Sequence, residues 1–277
     1  MMDENPYMQI VASIVLYHHS RADIEPTLNS LLGEESIEKI VLVDNGGAGW
    51  AAKLNNSRID YIQADKNRGF GAGHNIAIKR YHKCSEFFLI CNPDIRFQEG
   101  SVSTLYRAAQ KNKYKFISPS IVYSDGSKQF SCRLLPTPVN LFARRFIPAL
   151  AKDLDKKYEL RNADFSKVFT VPSVSGCFMF LESSLLAKLG GFDDRYFMYM
   201  EDIDLCRRAL KYTDIIYYSD VTITHIFKKG SYKNKSLLLQ HILSSIKYFN
   251  KWGWFFDPQR RSKNKECLKS VPTRADT

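Results

Sequence analysis

Residues 87–94 read Phe-Phe-Leu-Ile-Cys-Asn-Pro-Asp (FFLICNPD). The apolar run from Phe87 to Cys91 is long enough for one buried strand of a parallel sheet. It stops at Asn92-Pro93-Asp94, because proline has no backbone N–H for the ladder and its φ is fixed. Asn92 and Asp94 are thereby set at the strand's carboxyl end, where open α/β sheets bind their ligands. A carboxylate there can hold a divalent cation against a phosphate. Asn-Pro-Asp is equally good chemistry for an ordinary turn, so the tripeptide alone leaves both readings open.

The sequence on the amino-terminal side sets a rhythm. Gln9 to Tyr17 reads as a strand, His18-His19-Ser20-Arg21 as a turn, and Asp23 to Leu32 as a helix with its stripe at Ile24, Leu28, Leu31 and Leu32. A second strand, Ile37 to Val43, closes at Asp44-Asn45-Gly46-Gly47. A short helix over Ala51 to Asn55 and a third strand over Ile59 to Ile62 follow. Strands alternating with helices predict a parallel sheet with crossover connections. Asn67-Arg68-Gly69-Phe70-Gly71-Ala72-Gly73-His74-Asn75 then reads as a loop before a helix over Ile76 to Tyr81. Its alternating glycines predict close approach of backbone to a ligand, with the helix amides offered to an anion. The spacing is not G-x-G-x-x-G, so NAD binding is not implied.

Beyond Asp94 the pattern predicts a helix over Ser101 to Lys111 and an extended Phe116 to Tyr123. Residues 128–167, interrupted by Pro136, Pro138 and Pro148, are expected to form a partly helical, mobile excursion over the active face. Val171 to Glu182 reads as strand-like around Gly176, and Ser184 to Leu189 as a helix. The second chemical stretch is Phe192 to Arg208, FDDRYFMYMEDIDLCRR, with Glu201, Asp202 and Asp204 opening a helix. Carboxylates in a first helical turn also serve simply as caps to its free N–H groups. The last strands are expected at Ile215 to Tyr218 and Val221 to His225, which leaves His225 at a strand end.

Composition bounds these readings. Of 277 residues, 44% are hydrophobic and 25% charged, as in an ordinary globular protein. The longest apolar runs fall short of the ~18–20 residues of a spanning helix, and the polar start followed by a strand-like run predicts no signal peptide. The six cysteines show no C-x-x-C spacing, which suits reduced thiols better than disulfides or zinc. The net charge is +11, and residues 228–277 hold twelve Lys/Arg against three Asp/Glu. Such a basic tail attracts nucleic-acid phosphates and anionic lipid alike.

Taken together, SIVLYHHS, IVLVDNGG, NRGFGAGHN, FFLICNPDI, VSGCFMF, GGFDDRYFMYMEDIDLCRR and SSIKYFNKWGWFFDPQRR resemble the inverting family 2 glycosyltransferases. The likeness is greatest to the bacterial rhamnosyltransferase branch, which builds O-antigen and related polysaccharides, and it spans nearly the whole chain except about 128–167. It implies an α/β fold: a single GT-A type nucleotide-binding domain with a mostly parallel sheet over residues 1–230, then a basic, amphipathic helical tail over 231–277. It further implies that Tyr17 and His18 contact a pyrimidine base and that Asp44, beside Asn45, hydrogen-bonds it. Asn67, Gly69, Gly71 and Asn75 would lie near the sugar and diphosphate. Asn92 replaces the first acid of the usual Asp-x-Asp, leaving Asp94, with His225, to hold Mg²⁺ or Mn²⁺. Asp202 would be the catalytic base and Glu201 its neighbour toward the acceptor. The implied partners are a nucleotide-sugar donor, dTDP-rhamnose above others, and a glycan or lipid-linked glycan acceptor. The implied place is the cytoplasm, at the inner face of the bacterial inner membrane if the tail binds its anionic surface.

The residue types suit that chemistry on their own. A cation on the diphosphate oxygens stabilises the leaving group, so no general acid is needed. The acceptor hydroxyl must lose a proton, and one carboxylate can take it. A hydrolase would want two carboxylates flanking the bond. Transfer of UDP-galactofuranose or UDP-GlcNAc sugars is the nearest rival reading. A nucleic-acid-binding module would use the basic tail but leave Asp94, Glu201 and Asp202 without purpose, so no nucleic-acid partner is expected.

Overall fold

The computed structural model describes residues 8–141, 154–226 and 235–273. Strands β1 (Met8–Leu16), β2 (Ile37–Asp44), β3 (Ile59–Gln63) and β4 (Ser85–Cys91) pair in parallel in the order β3-β2-β1-β4. Leu16 stands opposite Asp44, Asp44 opposite Gln63, and Ile14 opposite Cys91, so their carboxyl ends lie level along one edge. The sheet continues through β10 (Phe178–Glu182), β6 (Phe116–Val122), β11 (Ile216–His225) and β5 (Ile95–Arg96), with β8 (Phe169–Thr170) also on β11. β10 is antiparallel to both neighbours and β6 is parallel to β11. Six of the nine strands therefore point the same way, as the alternating pattern predicts. A separate ribbon pairs β7 (Cys132–Arg133) with β9 (Ser173–Val174). The final strand is one element with a register shift between Tyr218 and Thr222, where the sequence suggests two.

Because side chains alternate across a strand, β1 feeds two cores. Ile10, Ala12, Ile14 and Leu16 pack on the face covered by α1 (Arg21–Leu32) and α3 (Ser101–Asn112). Met8, Val11 and Val15 pack on the face of α2 (Phe70–Tyr81), α4 (Ser183–Leu189) and α5 (Glu201–Ala209). Each buried aliphatic side chain contributes about 1.5–3 kcal/mol, which holds the sheet rigid behind its carboxyl edge. α1 starts in a reciprocal Ser20–Asp23 capping box. From its middle, the Thr27 hydroxyl donates to the Pro93 carbonyl at 2.6 Å and accepts from the Ile95 N–H at 3.0 Å. The Asn92–Asp94 turn is thus clamped from below.

Two expectations need correcting. The glycine stretch is not a loop ahead of a helix: α2 begins at Phe70 and contains Gly71 and Gly73. Gly69 has φ +96°, and a Cβ there would come within 1.8 Å of the Phe197 carbonyl oxygen. A Cβ on Gly71 would meet the Phe192 side chain at 2.8 Å. These glycines let α2 close on residues 192–197, and the Phe70 N–H is already given to the Phe197 carbonyl. Second, the described parts of 128–167 are core, not excursion: Leu134, Leu135, Tyr158, Leu160, Ala163 and Phe165 are buried. Residues 142–153 of that segment lie outside the described residues. The helical tail packs on the domain. In α6 (Lys235–Trp252), Tyr248 and Phe249 are buried in one cluster with Leu135, Tyr196, Met200 and Ile203. α7 (Pro258–Ser270) is capped by Asp257, which pairs with fully buried Arg207 at 2.5 Å. Residues 231–234 and 274–277 of the tail lie outside the described residues.

All six cysteines are free thiols. Among the described residues no helix is long and apolar enough to cross a membrane.

Candidate active site

The carboxyl edge of the sheet collects three groups of the expected residues. The first lies at the end of β4. The Asn92 N–H donates to the Cys177 carbonyl, and the Asp94 carbonyl accepts from the Ile226 N–H at 2.8 Å. Asp94 Oδ1 lies 3.1 Å from His225 Nε2, and His225 Nδ1 lies 3.0 Å from Gln129 Oε1. The imidazole is buried while the Asp94 side chain is 34% exposed. Burial lowers the affinity of His225 for a proton, but Asp94 and Cys177 more than reverse this and hold its pKa at about 10. The pair thus presents one carboxylate to solvent, steadied by a ring that Gln129 orients. Gln129 was not legible as a site residue, because it falls in the stretch that the prolines mark as irregular.

The second group is at the start of α5. Asp202 is half-buried: its Oδ2 accepts from the Gly176 N–H at 3.1 Å and its Oδ1 from the Ile203 N–H at 2.8 Å. Burial raises its pKa, against the pull of those two N–H groups and of the Arg133 charge. Glu201 is buried, and among the described residues its Oε2 has no hydrogen-bond partner. Burial, then the charge of Asp202, raises the Glu201 pKa well above the carboxylate range. Glu201 is thus enclosed beside Asp202, and its burial favours the protonated form. Asp204 is fully buried and paired: its Oδ1 accepts from Lys251 Nζ at 2.6 Å and Trp252 Nε1 at 2.8 Å, and its Oδ2 from Arg208 Nε at 2.8 Å. Lys251 also reaches Asp193, whose pKa is lowered by Arg195 and, despite some burial, by Lys251 too. Tyr199 and Met200, both at positive φ, turn the chain sharply into α5.

The third group surrounds the ends of β1 and β2. Tyr17 is 49% exposed and its ring lies edge-on to His18 with centroids 4.3 Å apart. Asp44 is 1% exposed; it accepts from the Gly46 N–H at 2.7 Å, the Ala48 N–H at 3.1 Å and the Tyr61 hydroxyl at 2.9 Å. Its acceptor positions serve the 44–48 loop. The Asn45 amide donates to the Gly69 carbonyl at 2.9 Å and to Asn67 Oδ1 at 3.3 Å, tying that loop to the start of α2. Asn75 is not drawn to this rim. Buried, it clamps Phe192 through both backbone atoms and bonds Asp194 at 2.6 Å.

The groups are joined through Gly176. Its neighbour Cys177 binds Asn92, its own N–H binds Asp202, and the Phe70 ring at the start of α2 lies against it. Asp94 supplies an oxygen donor, and His225 would supply a nitrogen donor only after giving up the proton that its Nε2 shares with Asp94. No group of three or more His, Cys, Asp or Glu is arranged to hold a metal among the described residues. Asp94, partly exposed, with His225 in its neutral form would fit a cation that draws its remaining ligands from water and a diphosphate.

Two solved structures share the architecture. GalNAc-T7, crystallised with UDP, GalNAc and Mn²⁺, superposes with a TM-score of 0.63 at 12% identity, over 98% of this chain and 56% of its own. The mannosyltransferase PcManGT from Pyrobaculum calidifontis, in complex with GDP-Man and Mn²⁺, gives 0.57 at 16% identity, over 96% and 77%. With a mostly parallel sheet and carboxylates at its carboxyl edge, the protein is a glycosyltransferase of the GT-A type. Residues 13–189 match the Glycosyl transferase family 2, and the chain belongs to that family. Relatives include the low-salt glycan biosynthesis hexosyltransferase Agl10 of Haloferax volcanii, 27% identical over 71% of this chain and 60% of its own. The rhamnosyltransferase WbbL of Escherichia coli K12 is 26% identical over 85% of this chain and 91% of its own. The N-acetylglucosaminyl-diphospho-decaprenol L-rhamnosyltransferase of Mycobacterium tuberculosis is 28% identical over 68% and 66%. The chain thus spans about two thirds or less of two of these three relatives.

Proposed function

We propose that this glycosyltransferase moves L-rhamnose from dTDP-L-rhamnose to a lipid-linked glycan by a single inverting displacement, with Asp202 as the base. The observation that carries the reading is Asp202 itself. It is the only carboxylate of the Glu201–Asp204 trio that is both partly exposed and held in a fixed direction by backbone N–H groups. A carboxylate with a raised pKa at that place can take the acceptor proton as the hydroxyl attacks. Asp94 and His225 would hold a divalent cation, and imidazole beside carboxylate favours Mn²⁺ over Mg²⁺. That cation, when bound, neutralises charge on the departing diphosphate.

The other residues position the donor. Tyr17 and His18 offer exposed aromatic surface to the base, while Asp44 acts by shaping the loop beneath it. Asn45, Asn67 and Gly69 fix the start of α2 beside the sugar, and Thr27 holds the turn that aims Asp94. Rhamnose as the donor sugar is supported by the names of two of the three relatives; the Haloferax hexosyltransferase keeps another sugar open as the second reading. The proposed place of action is the cytoplasmic face of the membrane that carries the acceptor.

The test is a donor screen with purified protein and Mn²⁺, reading nucleoside diphosphate release from dTDP-rhamnose, UDP-galactofuranose, UDP-GlcNAc and GDP-mannose. Release from dTDP-rhamnose alone supports the reading. Preference for a UDP-sugar moves the protein to another branch of the family.

A further inference from the structure

The sequence suggests an amphipathic tail helix with its apolar stripe at Leu237, Leu238, Ile242, Ile246 and Phe249, followed by Trp252, Trp254, Phe255 and Phe256 beside a basic cluster. The structure divides these residues differently. Ser244, Ser245, Tyr248 and Phe249 form the buried face of α6, and Trp252 and Trp254 are half-buried with their indole N–H groups given to Asp204 and Asn250. On the opposite face Leu239, Leu243 and Ile246 are 54%, 41% and 37% exposed. Their spacing of four and then three residues makes them one ridge along the helix. Just past its end Phe255 and Phe256 stand 72% and 87% exposed. A family of folded proteins with this many large apolar side chains on one short segment normally covers them with a partner.

We propose that this ridge, with the Phe255–Phe256 pair, docks on an anionic lipid bilayer. The charge of the segment selects the partner. Residues 228–277 hold nine more basic than acidic residues. A second copy would bring a tail of the same sign against this one. An anionic surface attracts it at about 1 kcal/mol per Lys or Arg near the head groups, while leucine, isoleucine and phenylalanine enter the acyl boundary.

The inner face of α6 explains what docking would accomplish. The Ser244 hydroxyl donates to the Met198 carbonyl at 2.8 Å and Lys247 Nζ to the Arg195 carbonyl at 2.8 Å. With Lys251 and Trp252 on Asp204, one helix grips the segment that leads into Asp202 on one side and faces the bilayer on the other. A helix lying on the membrane would therefore set the height of the base above the surface that presents a lipid-linked acceptor. The inference rests on the proposed acceptor only for this purpose; the surface itself stands without it.

The experiment is flotation of the full chain with vesicles of phosphatidylglycerol and phosphatidylethanolamine, and with phosphatidylcholine alone. The wild type should float with the anionic vesicles and not the neutral ones. Phe255→Ser with Phe256→Ser, and separately Leu239→Ser with Leu243→Ser, should each lower partitioning by ~10-fold or more, with unchanged melting temperatures and unchanged donor turnover in vesicle-free solution. Equal flotation of both variants and wild type overturns the proposal. So does a concentration-dependent dimer in sedimentation that the substitutions dissolve while no vesicle binding is seen. Because donor turnover is read separately, failure of docking leaves the proposed reaction untouched, and the reverse holds.

Discussion

Replacing Asp202 by asparagine keeps the shape of the side chain and removes its ability to accept a proton. General-base catalysis supplies ~10²–10⁴-fold, which is about 2.7–5.4 kcal/mol of the barrier. The structural cost is smaller. One of the two anchors, the Gly176 or the Ile203 N–H, would face an amide NH₂ instead of an oxygen, a loss of about 0.5–1.5 kcal/mol. Against a stability of about 5–15 kcal/mol the fold survives. Turnover should therefore fall by at least ~100-fold while donor affinity changes little. The partner variant is Glu201→Gln. Glu201 is buried and its pKa is raised by burial and by Asp202, which favours the protonated form that an amide mimics in shape and charge. Its turnover should stay within ~10-fold of wild type, an effect on the scale of one lost hydrogen bond. The sign of the pH dependence follows from the same environment. Asp202 works deprotonated and its pKa is raised, so the wild-type rate should fall as pH drops through a value above the ordinary carboxylate range. Nucleoside diphosphate release at saturating donor and varied acceptor measures all three. Near-normal turnover in Asp202→Asn with collapse in Glu201→Gln would refute the assignment and move the base to its neighbour.

Asp94→Ala should lose activity by orders of magnitude at every Mn²⁺ level, and His225→Ala should raise the Mn²⁺ needed; unimpaired transfer by the wild type in EDTA would remove the metal from the reading. Gly69→Ala puts a Cβ where the Phe197 carbonyl lies, at a positive φ. It should lower both the melting temperature and turnover, whereas Gly100→Ala, also at positive φ but with open space around it, should affect the melting temperature alone. Asp257→Ala strands the buried Arg207 and uncaps α7, so urea unfolding should show a loss of about 3–5 kcal/mol from the broken pair and about 1 kcal/mol from the cap.

Much of the sheet could be read from periodicity. β1, β2 and β4 are continuous apolar runs because both faces are buried, and each ends in residues that cannot continue a ladder or that bind the next loop. The reversed β10 was not legible, since an apolar run such as Phe178–Leu181 reads the same in either direction. The glycines of residues 69–73 were legible only in part. Glycine marks close approach, but a sequence does not say of what: a Cβ would meet Phe197 at Gly69, Phe192 at Gly71, and Val15 and Asn45 at Gly73. Thr27 and Gln129 carried no local signal at all. Each matters only because the fold brings it 66 or 96 residues along the chain to Pro93 and His225.

The run Glu201-Asp202-Ile203-Asp204 shows most directly what sequence alone leaves undecided. Three carboxylates within one helical turn look alike as residue types, and each is suited to capping, catalysis or charge pairing. Burial and partners separate them. Asp204 is fully enclosed and spends its charge on Lys251, Trp252 and Arg208, two of which come from α6. Glu201 is enclosed with Asp202 beside it and is driven toward the neutral form. Asp202 alone keeps an open side, and its direction is set by a backbone N–H from Gly176, in the turn between β9 and β10. The tail thus reaches the chemistry through Asp204: by adding Lys251 and Trp252 to the Arg208 pairing of a fully buried carboxylate, it fixes the helix whose first turn carries Asp202. Trp252→Phe, which removes one of those donors without emptying the space, should then lower turnover more than it lowers stability.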